Sequence, residues 1–319
     1  MTIIKDKQEI PKTPNRFFIV IRIFAILFII SFIIGGCVSF FLIDDEEANF
    51  LDKNVAVIKM YSAISLSEDN SFLSQSESSQ RILDYIQTAS ESENIKAIIF
   101  EINSPGGEVV ASKEIVDAIK KTNKTTVAWI RSIGTSGAYW VASSTDYIIS
   151  DDLSIVGSIG VYSSYLDFAG LLKDYNVTYN RLVAGKYKDM GTPLKPLTKE
   201  ERDIEQKKLN LIHDYFIRDV AGNRNMAYSE VEKLATGEYY LGIEAKENGL
   251  VDELGNFDTV KTYLSTKLNI TDIKLVEFSK PKTFFERLNE MSTHASYFAG
   301  RGIGDSIAIK SERAIPELK

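Results

Sequence analysis

The residues best suited to chemistry lie in Gly134-Thr135-Ser136-Gly137-Ala138-Tyr139-Trp140. The run before them, Thr125 to Arg131, is rich in β-branched and aromatic residues and predicts a strand. The run of Ala, Tyr and Trp after Gly137 predicts a helix. Ser136 therefore stands at a strand-to-helix turn, with its hydroxyl beside the free N–H groups of a helix start. Gly137 lets a bound group come close to the backbone. An alcohol that attacks a carbonyl needs these features: an exposed oxygen, and donors for the negative charge that develops. A small-residue helix cap would use the same Ser-Gly pair, so the turn alone does not decide between the two. A second glycine turn, Pro105-Gly106-Gly107, ends another strand-like run and could bring further N–H groups to the same carbonyl. Taken alone it is an ordinary turn.

A serine nucleophile also needs a base. The chain of 319 residues has two histidines, His213 and His294, and one cysteine, Cys37. No intrachain disulfide is possible, a zinc site has almost no material to draw on, and neither a metal nor a cofactor is expected. His213 falls inside an amphipathic helical run, where a structural histidine is the simpler reading. A lysine can replace histidine if burial strips its proton from the free value of about 10.4. Lys188 stands among Gly185, Tyr187, Met190 and Gly191, but periodicity does not select it over Lys186. The net charge of −7 argues against general nucleic-acid binding.

These groups need elements to hold them. Ile82, Leu83 and Ile86 give a helix over Gln80 to Ala89, after a Ser-rich loop through Ser79. Strands are predicted at Asn54 to Ile64, Asn94 to Ile102, Tyr147 to Ser150 and Val177 to Val183. A helix is predicted at Val109 to Lys121. A capping box at Thr198-Lys199-Glu200-Glu201 opens a long helix with Leu209, Ile212, Phe216 and Val220 in one stripe, and Ser229 to Glu232 has the same pattern. A short helix at Gly242 to Asn248 closes at Gly249. Strands alternating with helices argue for an α/β fold with a mainly parallel sheet.

The N-terminal region reads differently. Ile23 to Ile43 carries no charge, and at about 1.5 Å per residue it reaches roughly 30 Å, enough to span a bilayer. Lys5, Lys7, Lys12, Arg16 and Arg22 precede it, and Asp44-Asp45-Glu46-Glu47 follows. The positive-inside rule makes residues 1–22 a cytoplasmic tail and 23–43 a single-pass anchor, with the rest outside the cytoplasm. A soluble domain over 54–275 and a C-terminal extension over 276–319 complete the expected organisation.

Five motifs occur in order: Asn103-Ser104-Pro105-Gly106-Gly107, Ser136-Gly137-Ala138-Tyr139, Gly157-Ser158-Ile159-Gly160-Val161, Gly185-Lys186-Tyr187-Lys188-Asp189 and Leu250-Val251-Asp252-Glu253-Leu254-Gly255. Together they resemble the signal peptide peptidase A family, in its short single-domain form, over about Val55 to Tyr263. The resemblance implies a serine–lysine peptidase with a fold similar to Clp protease and crotonase. By that likeness Ser136 is the nucleophile, Lys188 the general base and Ser158 the residue that orients the lysine. Gly106, Gly107 and Gly137 supply the oxyanion hole. It implies signal-peptide remnants and short hydrophobic peptides as substrates, at the outer face of a bacterial cytoplasmic membrane. It also implies a ring of identical chains, in which Lys188 could serve a neighbour's Ser136. Ala138 stands where a glycine is common in the family. A crotonase-type acyl-CoA enzyme and a non-catalytic membrane scaffold are the competing readings.

Overall fold

The computed structural model describes residues 22, 24–32, 52–67, 70–71 and 74–278. The chain divides into two units, Met1–Leu51 and Asp52–Lys319. In the first, residues 24–32 are helical, and Phe24, Phe28 and Phe32 are exposed. Ile23 and residues 33–43 of the expected anchor lie outside the described residues. Among the described residues no helix is long and apolar enough to cross a membrane.

The second unit is built on a parallel sheet. Its strands are β1 (Val55–Met60), β5 (Ala97–Ser104), β6 (Thr125–Thr135), β7 (Tyr147–Ser150), β10 (Glu253–Leu254) and β11 (Leu275–Phe278). They run parallel in the order β10-β7-β6-β5-β1-β11. The central strand β5, Ala-Ile-Ile-Phe-Glu-Ile-Asn-Ser, is buried at all but one position, because a parallel strand is covered on both faces. Val55, Val57, Ala97, Ile99, Val127 and Ile149 form one face with Val260 and Leu264 of helix α8 (Phe257–Leu268). By strand alternation Ile58, Ile98, Phe100, Ala128 and Ile130 point the other way. Helices α1 (Ser79–Glu91), α2 (Val109–Lys121) and α3 (Gly137–Ser143) bring their own buried residues to the core. The α/β fold with a mainly parallel sheet is the one expected.

Several elements differ from expectation. Asn54 to Ile64 is two strands, β1 and β2 (Ala63–Ser65), separated by a bend. The Ser-rich loop contains β3 (Asn70–Ser71) and β4 (Ser74–Ser78); β4 pairs in parallel with β2. Its low β-propensity is overridden because β2 offers a free edge. β6 runs four residues past Arg131 to Thr135, because Ile133 to Thr135 pair with β8 (Ile155–Gly157). β8 in turn pairs antiparallel with β9 (Tyr239–Leu241). Val177 to Val183 is not a strand. It follows the short helix α4 (Ala169–Asp174), and no residue from Val161 to Thr198 is buried.

The long helix is α5 (Lys199–Arg224), with the capping box at Thr198 and Glu201 as expected. Of its predicted stripe, Phe216 and Val220 are buried, whereas Leu209 and Ile212 remain half-buried. The next helix, α6 (Tyr228–Leu234), starts one residue before Ser229. Glu230, not Glu232, accepts from the backbone at the cap residue Ala227. Helix α7 (Gly242–Glu247) closes at Gly249, whose φ is +75°. The sheet continues past the expected domain end at residue 275, because β11 zips onto the free edge of β1. Residues 279–319, nearly all of the expected C-terminal extension, lie outside the described residues.

Candidate active site

Ser136 joins β6 to α3 with φ +53° and ψ −126°. A non-glycine residue rarely holds a positive φ, so this turn is strained. Three contacts fix it. The Ser136 N–H donates to the Gly157 carbonyl at 2.8 Å, the Trp140 N–H donates to the Ser136 carbonyl at 3.0 Å, and β8 lies alongside. The strain therefore comes from the sheet and the helix together, and it lifts the side chain out of both.

The Pro105-Gly106-Gly107 turn packs directly on this one. Gly106 has φ +96°, and a β-carbon added there would lie 2.7 Å from the Gly137 nitrogen and 2.9 Å from Ser136 Cβ. Its own N–H donates to Ser104 Oγ at 3.2 Å. A β-carbon on Gly107 would strike the Ile64 carbonyl at 1.9 Å. Neither the Gly107 N–H nor the Gly137 N–H has an acceptor among the described residues. The two turns thus leave two free amide donors beside Ser136. Gly106 supplies the close approach, and its amide is already used.

A hollow of about 950 Å³ opens over this point. Ser136, Gly106, Gly107, Ser158 and His213 line it. Ser158 is also held at positive φ, +50°. Its N–H donates to the Glu238 carbonyl at 2.9 Å, and its hydroxyl donates to the Gly237 carbonyl at 3.1 Å. His213 Nε2 lies 3.3 Å from the Ile159 carbonyl, against the same loop. Its place in an amphipathic helix predicts a structural or surface histidine. It does brace the backbone, and it also forms part of the wall.

Lys188 is not among the residues lining the hollow. It is exposed on the turn Gly185–Asp189, which is closed by Lys188 N–H to the Gly185 carbonyl at 3.1 Å. The turn is clamped from both sides. Arg181 donates from Nε and Nη to the two carboxylate oxygens of Asp189, at 2.5 and 2.8 Å, and also to the Lys186 carbonyl. This bidentate contact holds the Asp189 carboxyl below its ordinary range. Lys186 and Tyr187 bind Glu200 at the start of α5. Periodicity could not choose between the two lysines; in the structure Lys186 is paired and Lys188 has no partner among the described residues.

The remaining motifs buttress the turn. The Tyr139 hydroxyl, fully buried, donates to the Leu250 carbonyl at 2.9 Å, and burial pushes its pKa up. Asp252 accepts from the Ile148 N–H and from Arg224. One group was missed by the sequence reading: Ser112 on α2 is fully buried beside Gly137, with its hydroxyl unpaired. The signal was a serine on the buried stripe Ala111, Ile115, Ile119 of an otherwise apolar helix face.

A parallel α/β sheet that holds a strained serine between two glycine turns, beside two free amide donors, has the parts of a serine hydrolase. Residues 54–147 match Clp protease, and residues 118–271 match peptidase family S49. A protein of Methanocaldococcus jannaschii named as a protease is 32% identical over 239 residues, covering 74% of this chain and 76% of that one. An Enterococcus faecium protein named as a signal peptide peptidase is 32% identical, covering 68% and 64%. Protease 4 of Haemophilus influenzae is 33% identical, covering 54% of this chain and 28% of its own length. The chain thus spans less than two thirds of these last two relatives. The catalytic domain of a Plasmodium falciparum ClpP protease overlays with a TM-score of 0.42 at 14% identity, over 63% of this chain and 84% of that one. The chain belongs to peptidase family S49, the signal peptide peptidase A family, and it is a serine peptidase.

Proposed function

We propose that the chain is a membrane-anchored endopeptidase in which Ser136 attacks the peptide carbonyl and Lys188 of an adjacent copy is the base. The observation that carries this reading is the strained Ser136 facing an open hollow beside two unused amide donors. As Ser136 Oγ adds to the carbonyl carbon, its proton passes to a neutral lysine amine. The Gly107 and Gly137 N–H groups then receive the oxyanion. The lysine returns the proton to the leaving amine, and an acyl-enzyme forms on Ser136. A water deprotonated by the same lysine hydrolyses it. Ser158, on the wall of the hollow, is positioned to orient the incoming lysine amine.

The exposed arm supports the sharing of the site between chains. Tyr162, Leu166, Tyr175 and Leu182 are each at least 70% exposed, more apolar surface than a monomer usually leaves in one segment. A second copy seated on this arm would bury it, desolvate Lys188 and deliver it to a neighbouring hollow. A closed ring satisfies every such contact. The charge-free run Ile23 to Ile43, with exposed phenylalanines along its described part, supports an anchor that leaves the peptidase unit outside the cytoplasm. Signal-peptide remnants and short hydrophobic peptides released at that face are the substrates this placement favours.

A fluorophosphonate probe tests the nucleophile. Wild-type chain should be labelled on Ser136 and should cleave a signal-peptide mixture, with products read by mass spectrometry. Ser136→Ala should show neither. Equal cleavage by Ser136→Ala would remove the assignment.

A further inference from the structure

Helix α5 touches both sides of the site. On one side Phe216 stacks on Trp140 at 4.7 Å, and Asp219 accepts from Trp140 Nε1–H at 2.6 Å. Trp140 belongs to α3, the helix that opens at Ser136. On the other side, one turn earlier on α5, His213 Nε2 lies 3.3 Å from the Ile159 carbonyl. A carbonyl only accepts, so Nε2 carries the proton and donates it. His213 and Phe216 stand at helical neighbour spacing and share one face of α5. A single helix therefore ties the helix of the nucleophile to the segment that carries Ser158.

That segment needs the tie. The pairing of β8 with β6 ends at Gly157, just before Ser158. Past that point the segment leans on residues 236–238, which are exposed. The Ser158 N–H donates to the Glu238 carbonyl, and its hydroxyl donates to the Gly237 carbonyl. The Gly237 N–H returns to the Ile159 carbonyl at 3.2 Å. Ile159 thus takes one donor from an exposed loop and one, His213, from a long helix. Ser158 spends its only proton on Gly237, so toward the hollow its hydroxyl can only accept. It can hold one N–H of a lysine amine and leave the nitrogen lone pair free to take the Ser136 proton. Resting on the reading of Ser136, Lys188 and Ser158 given above, we infer that His213 is a positioning residue. Acting through Ile159, it fixes Ser158 relative to Ser136, so that the arriving amine is held with its lone pair toward Ser136 Oγ.

The test is steady-state peptide cleavage and the rate of fluorophosphonate labelling, both on the full chain. His213→Leu and His213→Ala lose the donor, one keeping bulk and one not, so a packing fault in either shows as a difference between them. Each should lower kcat by about 10-fold or more with KM little changed, because a misplaced base costs rate rather than binding. His213→Gln returns an N–H donor to nearly the same point and should recover most of that loss. In a Ser158→Ala chain the residue that His213 acts through is already gone. Adding His213→Leu there should slow labelling little further, since changes that act through one shared contact do not add. Wild-type kcat in both donor-less variants, His213→Gln as slow as His213→Leu, or the same fold-loss with and without Ser158, would overturn the inference while leaving the peptidase reading intact. Wild-type rates in Ser158→Ala would overturn both the inference and the role of Ser158 beneath it.

Discussion

Gly106 lies so close to Ser136 that a β-carbon on the one would come within 2.9 Å of the β-carbon of the other. The contact is between two turns on neighbouring strands, and it holds the Gly107 amide next to the Gly137 amide. Gly106→Ala must therefore push the turns apart as well as strain a φ of +96°. We expect kcat to fall by about 100-fold or more, the usual loss when an oxyanion donor is displaced. Circular dichroism should show an intact sheet. Near-wild-type kcat in a folded Gly106→Ala chain would contradict this role.

The Arg181–Asp189 fork sets where Lys188 can point. Arg181→Lys keeps the charge but loses the bidentate grip. Both Arg181→Lys and Arg181→Ala should lower kcat by about 10- to 100-fold, with KM little changed, because a base displaced by about 1 Å costs rate rather than binding. A steady-state comparison with wild type checks it. If Arg181→Ala keeps wild-type kcat, the clamp is only a surface ion pair.

Tyr139 ties the serine helix to the Leu250 turn. Tyr139→Phe leaves the Leu250 carbonyl without its donor and should destabilise the fold by about 1–2 kcal/mol in urea denaturation. An unchanged denaturation midpoint would mean the hydroxyl contributes nothing.

Acid should loosen the start of α5. Lys195 and the Thr198 backbone hold the Glu201 carboxyl below the ordinary glutamate range. A depressed folded pKa contributes stability that is complete above about pH 4.3. It is lost as pH falls through the lower folded value. Amide-exchange protection at Glu201 and Arg202 should therefore drop below about pH 4. Glu201→Gln should lack that pH dependence. Protection that is flat with pH in wild type would contradict it.

How much the sequence revealed follows from where each element finds its partners. Val109 to Lys121 was readable to the residue, because its amphipathic stripe and its ends are local features. The β5–turn–α2 and β6–turn–α3 units were readable because glycine and serine punctuate strongly. Val177 to Val183 has strand composition but no strand beside it among the described residues, and composition does not supply a hydrogen-bonding edge. Ser74 to Ser78 is the reverse case: poor strand composition beside an available edge. The extra length of β6 arises from pairing with β8, which no local pattern encodes. At the site, Ser136, Ser158, Gly106 and Gly107 line one hollow, whereas Lys188 stands exposed on an arm with no buried residue. If the base is delivered by another chain, as proposed, the spacing of one sequence carries no trace of it.

Alkaline pH should raise the rate, because only the neutral amine accepts the Ser136 proton. A rate that falls steadily between about pH 7 and 9 would argue for a different base.

The most direct test of the shared site mixes two inactive variants, Ser136→Ala and Lys188→Ala, under conditions that allow the chains to reassemble. If the serine of one chain meets the lysine of the next, random association restores both groups at about a quarter of the sites, because each interface is head-to-tail. Peptidase activity at about that fraction of wild type is the predicted result. A mixture as inactive as either variant alone, with chain exchange confirmed by mass, would contradict it.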